Sequence, residues 1–355
     1  MSRQDFYDRF QKTYKDEAHI NSADQKGSIV SIPTGILSFD TATGIGGFPR
    51  GHVVEVFGPE SGGKSLLTLV AVAYAQKIHD AQVLYLDIEG GTPREWLTTL
   101  GIDLPDFDII SAGLTAEENL DAIIMAIESR TYDYIIIDSV AGLVPRDELE
   151  GKVDQNYMAV LARAMSKGVK KIVATLGTIP DQEAPCVIFI NQIRERPGVL
   201  YGNPETCPGG KALLFYSAQR YRVTRKYKSE VKENGDVAGH SVVVTNVKNK
   251  LGPPKREGEF FINYTKGVDL SQSIMNMVKQ RKLYTKLGQK YTMQLEEGTE
   301  PILFNKVEDI TTMVETDQAF QSRVYAFLMN SYIGTRTDDI KVDEDENNDD
   351  DFDKI

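Results

Sequence analysis

Between residues 31 and 268, short apolar runs rich in Val, Ile, Phe and Tyr alternate with longer stretches of helical spacing. The runs predict strands at His52–Phe57, Val83–Ile88, Tyr134–Asp138, Val187–Gln192, Tyr221–Arg225, Val242–Val247 and Phe260–Tyr264. Unbroken runs such as YIIID and VIFIN suit strands buried on both faces, so the fold class is α/β, a mostly parallel sheet covered by helices. The last three strands are joined by short turns and predict an antiparallel extension. Phe6, Phe10 and Tyr14 recur at i, i+4 and i+8 with Tyr7 beside them, which predicts an N-terminal helix with an aromatic stripe. That stripe must dock, either on its own domain or on a neighbouring subunit.

Residues 21–30 are polar and read as linker. Helical spacing returns at Ser271–Leu283 and Gln318–Tyr332, with a β-like piece around Gln289–Gln294, so a small α+β domain is expected over 269–334. The expected organisation is an N-terminal helix and linker (1–30), an α/β core (31–268), that small domain, and a tail from 335 to 355. The tail contains DEDENNDDDFD, in which like charges repel and little apolar surface can be buried, so disorder is expected there.

Composition adjusts this picture at two points. The chain carries a net charge of −12, but residues 338–355 hold ten acids against two lysines. The rest has 38 basic and 42 acidic groups, so basic patches for nucleic acid remain available despite the acidic total. Only Cys186 and Cys207 are present, which excludes a disulfide framework. The apolar runs fall far short of the roughly 20 residues that span a bilayer. The start, MSRQDFYDRFQ, lacks the apolar segment of a signal peptide. No membrane partner and a cytoplasmic location are expected.

Gly58-Pro59-Glu60-Ser61-Gly62-Gly63-Lys64-Ser65 fits GxxxxGK[ST], after a predicted strand and before an apolar helix, as a P-loop requires. Its glycines let backbone N–H groups turn towards phosphate oxygens, and the helix N-terminus adds its positive end. Lys64 is placed to reach the β- and γ-phosphates of ATP, and Ser65 to ligate Mg²⁺. Asp138, ending YIIID, fits the carboxylate that holds Mg²⁺, here through water. Glu89, just past the strand ending in Asp87, is the candidate general base; the competing reading is a helix-capping or solvated acid. Asp87 reads as structural. Gln192 ends its strand as a neutral amide suited to a γ-phosphate. The four histidines have no ligand spacing, so no metal beyond Mg²⁺ is expected.

The runs EVFGPESGGKS, IIIDSVAGLVP, DELEG, FINQIRERPGVLYGNPET, PGGKALLFYSAQR and NVKNKLGPP, together with the acidic tail, occur in an order that resembles the bacterial and phage RecA family. The resemblance covers residues 27–295 well and the rest loosely. It implies a DNA-dependent ATPase that forms helical homo-filaments on single-stranded DNA, also engages duplex DNA, and catalyses homologous pairing and strand exchange. Single-strand-binding and loading proteins are the further partners it implies. The location it implies is the nucleoid of a bacterium or phage-infected host.

By the same resemblance Glu89 matches the catalytic glutamate, Gln192 the glutamine that couples γ-phosphate to a DNA loop, and Trp96 the aromatic on adenine. Lys248 and Lys250 match lysines that reach a neighbouring subunit's ATP, and Tyr264 an aromatic near that same nucleotide. A first DNA loop is expected at Glu150–Met165, with Met158 as an apolar wedge between bases and Arg163, Ser166 and Lys170 on phosphates. A second is expected at Ile193–Lys211, carrying Arg194, Arg196, Pro197, Gly198, Val199, Gly209, Gly210 and Lys211. Cations supply sequence-independent phosphate binding, and a wedge unstacks bases. The sequence departs from the family pattern at Pro93, where an acid usually meets adenine, at Pro197, where a wedge usually stands, at Lys211, which replaces a small polar residue, and at Ser65, which replaces Thr. Two rival readings share the core fold: a hexameric helicase-type motor, and a mediator without strand exchange.

Overall fold

The computed structural model describes residues 2–14, 29–111, 113–152, 157–195, 205–233, 236–265, 267–295 and 300–334. The chain opens with helix α1 (Arg3–Tyr14), which buries none of its residues. Strands β1 (Ser31–Ile32) and β2 (Phe48–Pro49) pair antiparallel around helix α2 (Leu37–Thr43). The core then runs β3 (Val53–Gly58), α3 (Lys64–His79), β4 (Val83–Asp87), α4 (Arg94–Thr99), β5 (Phe107–Ser111), α5 (Ala116–Ser129) and β6 (Tyr134–Asp138). It continues with α6 (Arg146–Glu150), α7 (Met158–Leu176), β7 (Cys186–Gln192), the short strands β8 (Arg194–Glu195) and β9 (Glu205–Thr206), and α8 (Ala212–Tyr216). Strands β10 (Gln219–Arg225), β11 (Val231–Glu233), β12 (Asp236–Asn249), β13 (Glu257–Asn263) and β14 (Gly267–Val268) complete it.

One sheet dominates, in the order β14-β13-β12-β10-β3-β7-β6-β4-β5, with β11 added beside β12. From β10 to β5 every neighbouring pair is parallel. From β10 through β12 and β13 to β14 the pairs are antiparallel. The expected extension is therefore present, but its first strand is mixed: β10 lies parallel to β3 and antiparallel to β12. Strand β5 was not expected, because FDIIS buries only Phe107 fully and carries no clear apolar run.

The unbroken apolar strands serve two cores. Val54, Val56 and Ile136 pack beneath α3 with Leu67, Val70 and Ala71. Val53, Ile135 and Ile137 face the other way, onto Ile123 and Ile127 of α5 and Val169, Ile172 and Leu176 of α7. Alternate residues of each strand thus enter opposite faces, which is why no polar position interrupts them. Helix α5 starts at Thr115, whose hydroxyl accepts from the Glu118 amide while the Glu118 carboxylate accepts the Thr115 amide, a reciprocal cap.

Beyond the core lie α9 (Leu270–Gln280), the three-stranded sheet β15 (Tyr284–Leu287), β16 (Lys290–Met293) and β17 (Ile302–Phe304), then α10 (Val307–Thr316) and α11 (Gln318–Gly334). Sequence patterning predicts only part of this sheet and omits α10, because β15 and β17 are short and half exposed. Ile274, Val278, Phe304, Ile310, Phe320, Val324 and Leu328 form its core, and Leu37 of α2 joins them. The Tyr325 hydroxyl also donates to Asp40 of α2, a fully buried carboxyl that accepts from the amide and hydroxyl of Thr34. The tail, residues 335–355, and residues 15–28, which include most of the linker expected at 21–30, lie outside the described residues. Among the described residues no helix is long and apolar enough to cross a membrane.

Candidate nucleotide site and DNA interface

The P-loop leaves the C-terminal end of β3 and returns into α3. A Cβ at Gly58 would sit 2.0 Å from the Val223 carbonyl oxygen. Gly63 caps α3 at φ +93°, a conformation that glycine adopts without strain. The Lys64 ammonium, nearly buried, donates to the Pro59 carbonyl at 2.6 Å and so closes the loop over itself. Burial lowers the Lys64 pKa, while Asp138, Glu89 and Glu60 pull it back up. A backbone cradle at a helix N-terminus with a partly compensated ammonium inside suits a polyphosphate.

Beside it, Asp138 accepts a hydrogen bond from the Tyr85 hydroxyl at 2.6 Å and another from Ser65. Burial raises the Asp138 pKa against the pull of those two donors. A hydroxyl and a buried carboxylate in contact form an all-oxygen donor set, which suits Mg²⁺ with retained waters. Asp87 accepts the amides of Gly91 and Thr92, both at 3.2 Å, and so shapes the turn that carries Glu89, a structural role.

Glu89 joins three strand ends. Its Oε1 accepts from the hydroxyl of Ser139, which follows β6, and from Nε2 of Gln192, which ends β7, at 2.9 Å. The amide of Ile193 in turn donates to the Gly58 carbonyl at 3.1 Å. The start of the second loop is therefore tied to both the P-loop and the candidate base. Trp96 on α4 is half buried and packs on the core that α3 shares. Tyr264 follows β13, 42% exposed, with its hydroxyl 2.9 Å from Nδ1 of His240.

Lys248 and Lys250 lie elsewhere. Lys248 is registered with Arg220, and Arg220 with Glu55, three residues before Gly58 and towards the opposite end of β3. Lys248 donates to the Leu214 and Phe215 carbonyls, and Lys250 to Phe215 at 3.0 Å, so both cap the C-terminus of α8. Burial, then Lys250 and Arg220, push the Lys248 pKa down to about 8. Neither lysine meets the P-loop of its own chain.

The first loop is shorter than expected. Helix α7 begins at Met158, so only residues up to Tyr157 lie outside it, and 153–156 are outside the described residues. MAVLARAM is made of good helix formers, and helix wins there. Met158 is 76% exposed on the first turn. Arg163, Ser166 and Lys170 are exposed at i, i+3 and i+7, on the face opposite Met165, Val169 and Ile172.

The second loop is pinched at its base, where Arg194, exposed, pairs with Thr206 across β8 and β9. Arg196, Pro197, Gly198 and Val199 lie outside the described residues. Gly209 and Gly210 both have left-handed backbones, at φ +82° and +75°. A Cβ at Gly210 would come within 2.9 Å of the Ala162 Cβ, and one at Gly209 within 3.0 Å of Val140. These glycines therefore let the loop base pack against α7, a reason distinct from approach to phosphate. Lys211 is exposed at the start of α8. Cys207 is largely buried and its thiol is pushed up to about 12, which makes it a poor nucleophile.

Sequence reasoning misses a buried network under this loop. Asn191 donates to Glu55 at 3.1 Å and to the Pro208 carbonyl at 3.2 Å, while Arg220 pairs with Glu55 and lies over the Phe57 ring at 4.5 Å. A lone Glu inside the apolar run VVEVF was the available signal, since a buried charge requires a partner. Ser139 and His240 were also missed.

A family model described as the RecA N-terminal domain matches residues 5–269. The chain belongs to the RecA family. "Protein RecA" of Lactobacillus acidophilus is 41% identical over 264 residues, 74% of this chain and 70% of that one. "Protein RecA" of Streptomyces ambofaciens is 40% identical over 295 residues, 80% and 77% of the two chains. The crystal structure of the RadB recombinase aligns with 67% of this chain and 98% of its own at 19% identity and a TM-score of 0.48. RecA proteins are ATP-dependent recombinases, and membership carries the family's general dependence on nucleotide and Mg²⁺, its DNA-dependent ATPase character, its binding of DNA and its filament formation.

Proposed function

We propose that this chain forms a filament on single-stranded DNA, holds ATP at each subunit junction, and uses that state to pair and exchange homologous strands. The observation that carries the proposal is the Ser139–Glu89–Gln192 contact beside the P-loop, with the second loop leaving directly from Gln192. A change at the phosphate end is one hydrogen bond from the DNA end.

Lys64 and the P-loop amides bind and orient the phosphates of ATP. Ser65 and Asp138 would hold Mg²⁺, which supplies neutralisation of phosphate charge when bound. Glu89 takes the proton of the attacking water, positioned by Ser139. Gln192 serves as the γ-phosphate sensor, and Trp96 covers the adenine from its own subunit. Lys248 and Lys250 fit a role across the junction, since they are turned away from their own P-loop; the same role for Tyr264 finds no such support, because Ile262 of β13 lies at Gly63 of its own P-loop. The unburied aromatic stripe of α1 is assigned to a neighbouring subunit. Met158 acts as wedge, with Arg163, Ser166, Lys170, Arg194 and Lys211 on phosphates. The division at residues 30, 268 and 334, the nucleoid location and the loading partners belong to the same reading.

The test is strand exchange between homologous single-stranded and duplex DNA with ATP, for the full chain and for Lys64→Ala. Exchange by the wild type and its loss in the variant are expected. ATP hydrolysis without exchange would leave the motor or mediator reading instead.

A further inference from the structure

Asn191 and Gln192 are adjacent on β7 and project to opposite faces of the sheet. Gln192 reaches Glu89, whereas the Asn191 side chain is buried under the second loop, 1% exposed. Its amide is used on both sides. Nδ2 donates to Glu55 at 3.1 Å and to the Pro208 carbonyl at 3.2 Å, and Oδ1 accepts from the Gln192 backbone amide at 3.0 Å. Gln192 leads into the second loop and Pro208 stands near its end, so one side chain holds both ends. Glu55 fixes that amide in turn: it is 1% exposed on β3, and its other carboxylate oxygen is paired with Arg220 of β10.

The base of the loop is a short ribbon. Arg194 pairs with Thr206 and Glu195 with Glu205 across β8 and β9, and Glu205 is joined to Arg222 of β10 at 2.6 Å. Beyond Pro208, Gly209 and Gly210 lie against Met165 and Ala162 of α7. At the other end, the Ile193 amide donates to the Gly58 carbonyl of the P-loop. A stiff joint at the foot of this ribbon lets DNA on the loop and phosphate at Gln192 bias each other, and Asn191 is the side chain at that joint. Alanine there would remove a donor from Glu55 and from the Pro208 carbonyl, and would let the two ends move separately. Aspartate would set a second carboxylate against Glu55, so the position needs a group that both donates and accepts.

We propose that Asn191 is a positioning residue that couples ATP to DNA: it clamps the two ends of the second loop, so that Gln192 and the ribbon move as one body. This rests on the reading of Gln192 as the γ-phosphate sensor and of the second loop as a DNA contact. Asn191 is enclosed and meets neither ligand; its contribution is the stiffness of the joint. Coupling between two ligands is reciprocal, so the clamp is read as tighter DNA binding in the presence of nucleotide.

The test is binding of the full chain to single-stranded DNA, without nucleotide and with a non-hydrolysable ATP analogue and Mg²⁺. The proteins compared are the wild type, Gln192→Ala, Asn191→Ala, Asn191→Asp and the Glu55→Gln/Asn191→Asp pair. The ratio of the two affinities is the coupling, and thermal melting reports the fold. The analogue should tighten wild-type binding by about fivefold or more, the low end of ordinary coupling, and Asn191→Ala should bring the ratio below about twofold. Its affinity without nucleotide should fall less than its affinity with the analogue. Asn191→Asp brings two buried carboxylates together and should melt lower. The pair restores one carboxylate and one amide near Arg220, so melting should recover. The relocated carboxylate cannot donate to the Pro208 carbonyl, so coupling should stay lost. A merely structural role predicts that coupling returns with stability, and that result would overturn the clamp. If Gln192→Ala loses coupling while Asn191→Ala keeps it, the clamp is wrong and the reading of Gln192 stands. If Gln192→Ala keeps coupling, the reading of Gln192 falls and the clamp with it. Should Asn191→Ala fail to fold, the pair decides.

Discussion

Glu89 has both of its described donors on a single carboxylate oxygen, Ser139 from one strand end and Gln192 from the next. The proposed base, positioner and sensor are thus one hydrogen-bonded unit, and two substitutions separate the first two roles. Glu89→Gln keeps the size but cannot accept the proton of water. It should retain ATP and DNA binding while DNA-stimulated turnover falls about 100-fold or more. Ser139→Ala leaves the base but frees its carboxylate, so a smaller loss of kcat, about tenfold, is expected with KM for ATP unchanged. ATPase rates with and without single-stranded DNA check both. Wild-type turnover in Glu89→Gln would remove it as the base, and wild-type kcat in Ser139→Ala would remove the positioning role.

Among the elements, α2 and α11 are joined by a contact that titrates. Burial raises the Asp40 pKa to about 7, and the donors Tyr325 and Thr34 oppose that rise. A carboxyl raised from its ordinary value near 3.8 favours the fold most when protonated, below that value. Its contribution is lost as pH rises through about 7. Tyr325→Phe removes a donor that favours the ionised form, so its cost should grow with pH. The penalty expected at pH 8 is about 1.5–3 kcal/mol, that of a hydrogen bond to a charged group, and smaller at pH 5. Thermal melting of wild type and variant at the two pH values measures it. An equal difference at both would show that Asp40 does not ionise over this range. At the same scale α7 and the second loop form one packed unit, since Gly210 lies against Ala162 and Gly209 against Met165, both on α7.

For the whole molecule, charge distribution matters more than total charge. Arg281, Lys282, Lys286 and Lys290 are exposed at the end of α9 and on the β15–β16 hairpin, a cationic surface suited to a duplex backbone. The tail carries a net charge of −8 over residues 338–355 of the same chain. A tethered polyanion competes at an effective concentration of roughly millimolar. Truncation after Thr337 should strengthen duplex binding, most at about 0.01 M salt, where the Debye length is about 30 Å. Mg²⁺ should reproduce part of the gain by neutralising carboxylates. Duplex titrations at two salt concentrations test this, and unchanged affinity at low salt would leave the tail a solubility segment. ATPase on single-stranded DNA should change less.

Local sequence determined what depends on neighbours along the chain. GPESGGKS must form its cradle because only glycine tolerates the backbone at Gly63 and the Val223 carbonyl at Gly58. YIIID and VIFIN read as two-faced strands because period-two alternation disappears when both faces are buried. Pairing across distance was decided only by the tertiary structure. The parallel register of β10 on β3, the edge strand β5 and the β15–β17 sheet depend on partners remote in the chain, and their own residues carry weak patterns. Helix at Met158 overrode the expected loop because intrinsic propensity and the buried face of Met165, Val169 and Ile172 act together. The contacts of Glu89 with Ser139 and Gln192, of His240 with Tyr264, and of Glu55 with Asn191 and Arg220 were hidden for the same reason. Each joins side chains from different strands, and no spacing along one segment reports where another segment will lie.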